Sequence, residues 1–169
     1  MKPLVAITAL LLTLSWAQSG QCANRADDLL GQWYTEDNDS KILVTKQNGK
    51  YVGEIIWLKE PLYGKDEAET GKPKRDKFNP TKKLRNRPVI GIRVLKGFTF
   101  NAKERSWENG TIYDPESGKT YKCVIKFEKD SKALNGRKLY VRGYIGLPVL
   151  GRTTYWHYVP EKELEKVDG

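Results

Sequence analysis

Residues 138–159, KLYVRGYIGLPVLGRTTYWHYV, constrain the fold more than any other stretch. Leu139, Val141, Gly143 and Ile145 alternate with Tyr140, Arg142 and Tyr144. After the turn Gly146-Leu147-Pro148-Val149-Leu150-Gly151, Arg152, Thr154, Trp156 and Tyr158 alternate with Thr153, Tyr155, His157 and Val159. A period of two marks strands with unlike faces, because successive side chains leave a pleated ribbon on opposite sides. The same signature recurs upstream in Gly31–Thr35, Ile42–Thr45, Tyr51–Leu58, Val89–Leu95, Phe98–Phe100, Trp107–Tyr113 and Thr120–Phe127. The breaks between these segments carry turn chemistry, including Asn48-Gly49 and Asp114-Pro115-Glu116-Ser117-Gly118. A chain of short strands must deal with its unpaired sheet edges, and closing into a ring removes them. The expected fold is all-β: a small antiparallel barrel of about eight or nine strands whose last strand meets the first at Gly31-Gln32-Trp33. A short helical turn in Asn24–Leu30 precedes the barrel, and a short helical tail is expected at Glu161–Lys166.

The start of the chain reads as a targeting segment. Lys2 is followed by an apolar run, Leu4–Leu14, too short to span a bilayer, and then by the small residues Ala17, Ser19, Gly20 and Ala23. Residues 1–23 are therefore expected to be a cleaved signal peptide, with cleavage after Ser19 or after Ala23, and residues 24–169 a single barrel domain. Export places the protein in the periplasm or outside the cell. The cut decides whether Cys22 is retained and able to pair with Cys123 in an oxidising space. Cys123 alternates with Tyr121, Ile125 and Phe127, opposite Lys122 and Lys126, which favours a buried, inert thiol.

The positive charge is concentrated. Residues 59–87 form a long section rich in Lys, Asp, Gly and Pro, without apolar period. Within it residues 72–87 hold Lys72, Lys74, Arg75, Lys77, Lys82, Lys83, Arg85 and Arg87 against one acid, Asp76, so residues 72–87 carry +7 (8 − 1) of the chain's +9. Connections this long are either functional or mobile. An exported basic segment seeks anionic membrane or polysaccharide surfaces rather than nucleic acid. Asp76 with Asn79-Pro80 reads as a structural turn holding the loop down, the carboxylate accepting from backbone amides.

Several multi-residue motifs occur in order: Leu30-Gly31-Gln32-Trp33, Asn79-Pro80, Leu84-Arg85-Asn86-Arg87-Pro88, Gly110-Thr111-Ile112-Tyr113-Asp114-Pro115, Gly118-Lys119-Thr120-Tyr121, Val141-Arg142-Gly143-Tyr144-Ile145-Gly146 and Gly151-Arg152-Thr153 with Trp156. On these the chain resembles the DUF2147 family of exported bacterial proteins across roughly Asp28–Val159. The resemblance implies a lipocalin-like barrel and an envelope location, and no reaction. A looser likeness to the calycins implies a clamp in which Arg152 lies over Trp33, with Arg142 as the rival guanidinium.

Catalytic chemistry is poorly served. The single histidine, His157, has no nucleophile motif beside it, no Cys/His cluster has metal spacing, and no cofactor motif occurs. The leading expectation is a binding protein for a small hydrophobic or amphiphilic molecule, with Trp57, Tyr121, Trp156, Tyr158 and Arg142 at the ligand. Lys72, Lys74, Arg75, Lys82, Lys83, Arg85 and Arg87 would contact anions. The alternatives are an interaction module acting through the basic loop, and an envelope hydrolase with no identifiable catalytic set.

Overall fold

The alternation does produce hairpins, and the last strand closes on the first. The computed structural model describes residues 26–128 and 137–160; the expected signal peptide, Cys22 and the expected C-terminal helical tail lie outside them. The strands are β1 (Gly31–Tyr34), β2 (Ser40–Gln47), β3 (Lys50–Leu58), β4 (Arg93–Asn101), β5 (Ser106–Asp114), β6 (Lys119–Phe127), β7 (Lys138–Tyr144) and β8 (Arg152–Tyr158). Each pairs antiparallel with its neighbour in sequence, and β1 pairs with β8 through Trp33–Tyr158 and Tyr34–His157. The ring has eight strands because Gly97 does not end one. At φ 78° it forms a bulge that lets β4 run on from Leu95, opposite Gly53, to Phe98, opposite Tyr51.

Strict antiparallel order gives the barrel two unlike ends. Odd strands start, and even strands finish, at the end sealed by a short 3-10 turn, Ala26–Leu29. There Trp33 Nε1 donates to the Leu29 carbonyl and Trp107 Nε1 to the Ala26 carbonyl, each at 2.9 Å. The two indoles, both fully buried, have their only polar atoms satisfied by the turn that caps them. Phe127 lies edge-on to Trp107 at 5.5 Å, and Tyr158 lies edge-on to Trp33 at 5.3 Å. Such pairs add about 0.5–1.5 kcal/mol each beyond the area they bury. Midway up, the Phe98 ring lies against Gly110 so closely that a Cβ there would stand 2.3 Å from a ring carbon. The sealed half is therefore packed solid.

The guanidinium of this end is Arg137, not Arg152. Arg137 lies 4.4 Å over the Tyr158 ring and 5.8 Å from the Trp33 ring, and its Nη2 donates to the Asp28 carbonyl. Arg152 opens β8 and pairs with Gly143 at the opposite end. Six residues of strand separate it from Tyr158, about 20 Å of rise. Arg142, opposite Thr153, is also far from Tyr158, and faces outward. Replacing Arg137 by alanine is expected to cost about 2 kcal/mol, from the lost ring contact and the lost charged hydrogen bond. Arg152→Ala should stay within about 0.5 kcal/mol. Urea unfolding of both variants checks the contrast.

Cys123 lies on the inward face opposite Gly143, 2% exposed, and burial pushes its thiol up to about 12. A thiol in that state is a poor nucleophile.

Candidate functional site

The barrel's other end is a rim formed by four connections: the turn 35–39, the long loop 59–92, the turn 115–118 and the β7–β8 tip 145–151. On β5–β8 the inward face becomes more accessible from the middle of the barrel towards this rim. Trp33, Trp107, Phe98, Ile125 and Leu139 at the sealed end and middle are fully buried. On the rim side Ile112, Tyr121, Gly143 and Thr154 are partly exposed, and Arg152 is exposed. Register puts these on one inward surface: Ile112 faces Tyr121, Cys123 faces Gly143, Val141 faces Thr154 and Gly143 faces Arg152. Gly143 sits close to Ile112 and Tyr121: a Cβ on it would make ordinary contact, 3.4 Å from Ile112 and 3.5 Å from Tyr121. This partly exposed apolar surface inside the rim, the recess, has one phenol, one hydroxyl and a guanidinium at its edge. No salt bridge engages Arg152 among the described residues.

The four aromatic residues anticipated at a ligand are spread over three environments. Tyr121 lies in the recess. Trp156, 3% exposed, and Tyr158 are core filling in the sealed half. Trp57 is on the outer wall. The parity of Tyr51, Gly53 and Ile55 predicts an inward Trp57, but a bulge shifts the register between Ile42–Ile55 and Lys41–Trp57 and turns the indole out. Outside, Trp57 lies edge-on to Tyr34, and Lys41 Nζ lies 4.7 Å from the Tyr34 ring centre and 5.3 Å from that of Trp57. Arg142 also faces outward. It donates to the Pro148 carbonyl at 2.7 Å, the Val149 carbonyl at 3.0 Å and Thr153 Oγ1 at 2.7 Å, so it fixes the tip. Beneath it a groove of about 440 Å³ runs along the outside of β6 and β7, lined by Val124, Lys126, Tyr140 and Val149 among others.

The long loop is built around one buried carboxylate. Asp76 is fully buried. Its Oδ2 accepts from Arg87 Nε at 2.9 Å, Arg87 Nη2 at 2.7 Å and Asn79 Nδ2 at 2.7 Å, and its Oδ1 accepts from the Tyr113 hydroxyl at 2.5 Å. Asn79 extends the network, its Oδ1 accepting from the Thr81 amide and its carbonyl from Arg85 Nε. The loop is thereby tied to β5, and the Phe78 carbonyl presses on Gly118. That residue, at φ 69°, has no room for a Cβ, which would stand 1.9 Å from the Phe78 oxygen. Asp76 does hold the loop down, but through side chains rather than backbone amides. Burial, and then the Asp76 carboxylate, push the Tyr113 phenol up to about 12.

This architecture sorts the basic residues. Arg87 is committed to Asp76 and is not free for an external anion. Arg75 is ion-paired with Glu69, Lys72 lies 3.8 Å from the same carboxylate, and Lys74 lies 3.7 Å from Glu60. Lys82, Lys83 and Arg85 are exposed on or beside the 3-10 turn Lys82–Leu84 and form no ion pair among the described residues.

Comparison with known proteins agrees with this geometry. Residues 31–158, which run from the first strand to the last, match the family described as "Uncharacterized protein conserved in bacteria (DUF2147)". The chain belongs to the DUF2147 family. Among solved structures, a protein of Helicobacter pylori, HP1028, described as belonging to the lipocalin family, superposes with a TM-score of 0.65 at 24% identity, over 83% of this chain and 89% of that one. The likeness establishes a lipocalin-like barrel. No curated protein matches the chain. Within this DUF2147 chain, Asn79, Arg87 and Tyr113, which belong to three of the motifs identified in the sequence, all converge on Asp76. Those motifs therefore describe how the loop is anchored at the rim. The aromatic alternation could not locate the recess, because Ile112 and Thr154 carry no distinctive chemistry; Gly143, a gap in an apolar register, was the available signal.

Proposed function

We propose that this DUF2147 protein is an exported binding protein that holds a small hydrophobic or amphiphilic molecule in the recess on the rim side of its barrel. The observation that carries the reading is the inward face of β5–β8, which passes from the buried Cys123, Ile125, Val141 and Trp156 to the partly exposed Ile112, Tyr121 and Thr154 at the rim. Eight-stranded barrels are just wide enough for side chains to fill them or for one small ligand to enter. Here the filling stops short of the rim. An apolar tail would lie against Ile112 and Tyr121, and an anionic head would meet Arg152, whose planar fork suits carboxylate and phosphate oxygens. The lipocalin-family neighbour adds support at the level of fold.

The test is titration with a fluorescent fatty-acyl probe, together with native mass spectrometry of protein purified from a bacterial envelope. Saturable one-to-one binding is expected, weakened about 10-fold in Arg152→Glu for an anionic head group and unchanged for a neutral one. Absence of any saturable amphiphile binding, or indifference of the anionic probe to Arg152→Glu, overturns the reading.

A further inference from the structure

The large apolar side chains that stand exposed, eight among the described residues, all lie in two rim connections. None lies on the barrel wall or at the sealed end. Ile145, Leu147, Val149 and Leu150 crowd the β7–β8 tip, each between 65% and 78% exposed; the rest, including Phe78 and Leu84, belong to the long loop. A single exposed leucine needs no explanation, but clustering at one end of the molecule does. The tip is also held in shape. Pro148–Leu150 form a 3-10 turn, Arg142 bonds the carbonyls of Pro148 and Val149, and Gly151 packs against the Gly143 carbonyl, where a Cβ would stand 2.5 Å away. The tip backbone is fixed in advance of any contact, and its apolar side chains remain exposed.

We propose that the rim end docks on an anionic phospholipid surface, with Leu147, Val149 and Leu150 entering the headgroup region and Lys82, Lys83 and Arg85 on the phosphates. The long loop, which joins β3 to β4 and is tied at Asp76 to Tyr113 of β5, and the tip, which joins β7 to β8, both lie at the rim end of the ring. Charge complementarity selects the occupant. The long loop, residues 59–92, carries +5 (10 − 5), and Lys82, Lys83 and Arg85, which form no ion pair among the described residues, sit beside Leu84, the arrangement of basic and apolar groups that a lipid interface accepts. A second copy of the chain would set two such segments against each other. An acidic polysaccharide would satisfy the lysines but leave Val149 and Leu150 in water. The docking surface is separate from the ligand recess, and neither requires the other.

Sedimentation with large vesicles tests it, using phosphatidylcholine alone and phosphatidylcholine mixed with phosphatidylglycerol. Binding is expected on the anionic vesicles, falling steeply with added salt because the phosphate contacts are screened. The double variant Leu147→Asp, Leu150→Asp should weaken it about 100-fold, from lost apolar burial. Lys82→Glu with Lys83→Glu should weaken it roughly 20-fold. Both variants alter exposed side chains, so unchanged urea midpoints show that they fold. Vesicle binding lost while soluble acyl-probe binding persists supports docking as a separate property. Equal binding to neutral and anionic vesicles, undiminished binding by Leu147→Asp, Leu150→Asp, or a salt-resistant dimer that the same variant dissolves would overturn the proposal.

Discussion

Replacing Asp76 by alanine is expected to remove about 3 kcal/mol of folding stability, more than any other single change considered for this protein. The carboxylate is fully buried and takes four hydrogen bonds, two from Arg87, one from Asn79 and one from Tyr113. Its removal leaves the Tyr113 hydroxyl without an acceptor in a dry site, an orphan that costs about 1–3 kcal/mol, while Asn79 Nδ2 keeps only its bond of 3.2 Å to the Tyr113 oxygen. Arg87 softens the loss. Its side chain is 35% exposed, so its guanidinium regains water, which keeps the total near the low end of the range of about 3–5 kcal/mol for breaking a buried pair. The loop should also loosen, because the same carboxylate ties residues 76–87 to β5. Urea unfolding gives the stability change and limited trypsin digestion the loosening, the lysines of 72–83 becoming cleavable. A loss under about 1 kcal/mol, with no new cleavage, would mean that the network is not what holds the loop.

Alkaline pH should attack the same place from the other side. The Tyr113 phenol, driven up to about 12 by burial and by the neighbouring carboxylate, titrates near 10 in the unfolded chain. The folded state therefore holds its proton across the window from about pH 10 to about pH 12 while the unfolded state releases it. Stability falls where the native state binds more protons, so this contribution is intact below about pH 10 and lost as pH rises towards 12, at about 1.4 kcal/mol per pH unit and about 2–3 kcal/mol in all. Tyr113→Phe lacks the ionisable proton. The variant should start less stable at pH 8, having lost the bond to Asp76, and should decline less steeply above pH 10. Other tyrosines and the lysines titrate in both proteins and cancel in the difference. Parallel curves for the two proteins would show that Tyr113 does not feel the Asp76 carboxylate.

Strand pairing was the most legible part of the structure, because alternation and turn chemistry are local. Asn48-Gly49 and Asp114–Gly118 close hairpins where their residue types demand, and the ring follows from the need to leave no free edge. What alternation cannot carry is a change of parity. The bulges at Gly97 and opposite Ile42 each shift the pattern by one residue. The second puts Trp57 outside, although Ile55 faces in. The error at Trp33 was of another kind. Arg152 was matched to it by sequence pattern, yet an antiparallel ring puts the beginning of β8 at the end opposite the beginning of β1. An arginine just before β7 satisfies that geometry, and Arg137 is such a residue. The loop anchor was half legible. One acid among eight basic residues announced Asp76, but a partner eleven residues away and a tyrosine from another hairpin are set by tertiary packing alone.

The join between β1 and β8 has a consequence for how this molecule comes apart. Seven of its eight seams join strands consecutive in sequence. The eighth rests on a four-residue strand with two paired positions, reinforced by the Val159 amide on the Gln32 carbonyl and by Arg137 packed over Tyr158. A cylinder whose staves are unequally fastened opens at the weakest fastening. The amide proton of Val159, which crosses this seam to the Gln32 carbonyl, should therefore exchange with solvent ahead of those in β5 and β6, and the first excursion away from the native state is an unrolled sheet that exposes the buried indoles.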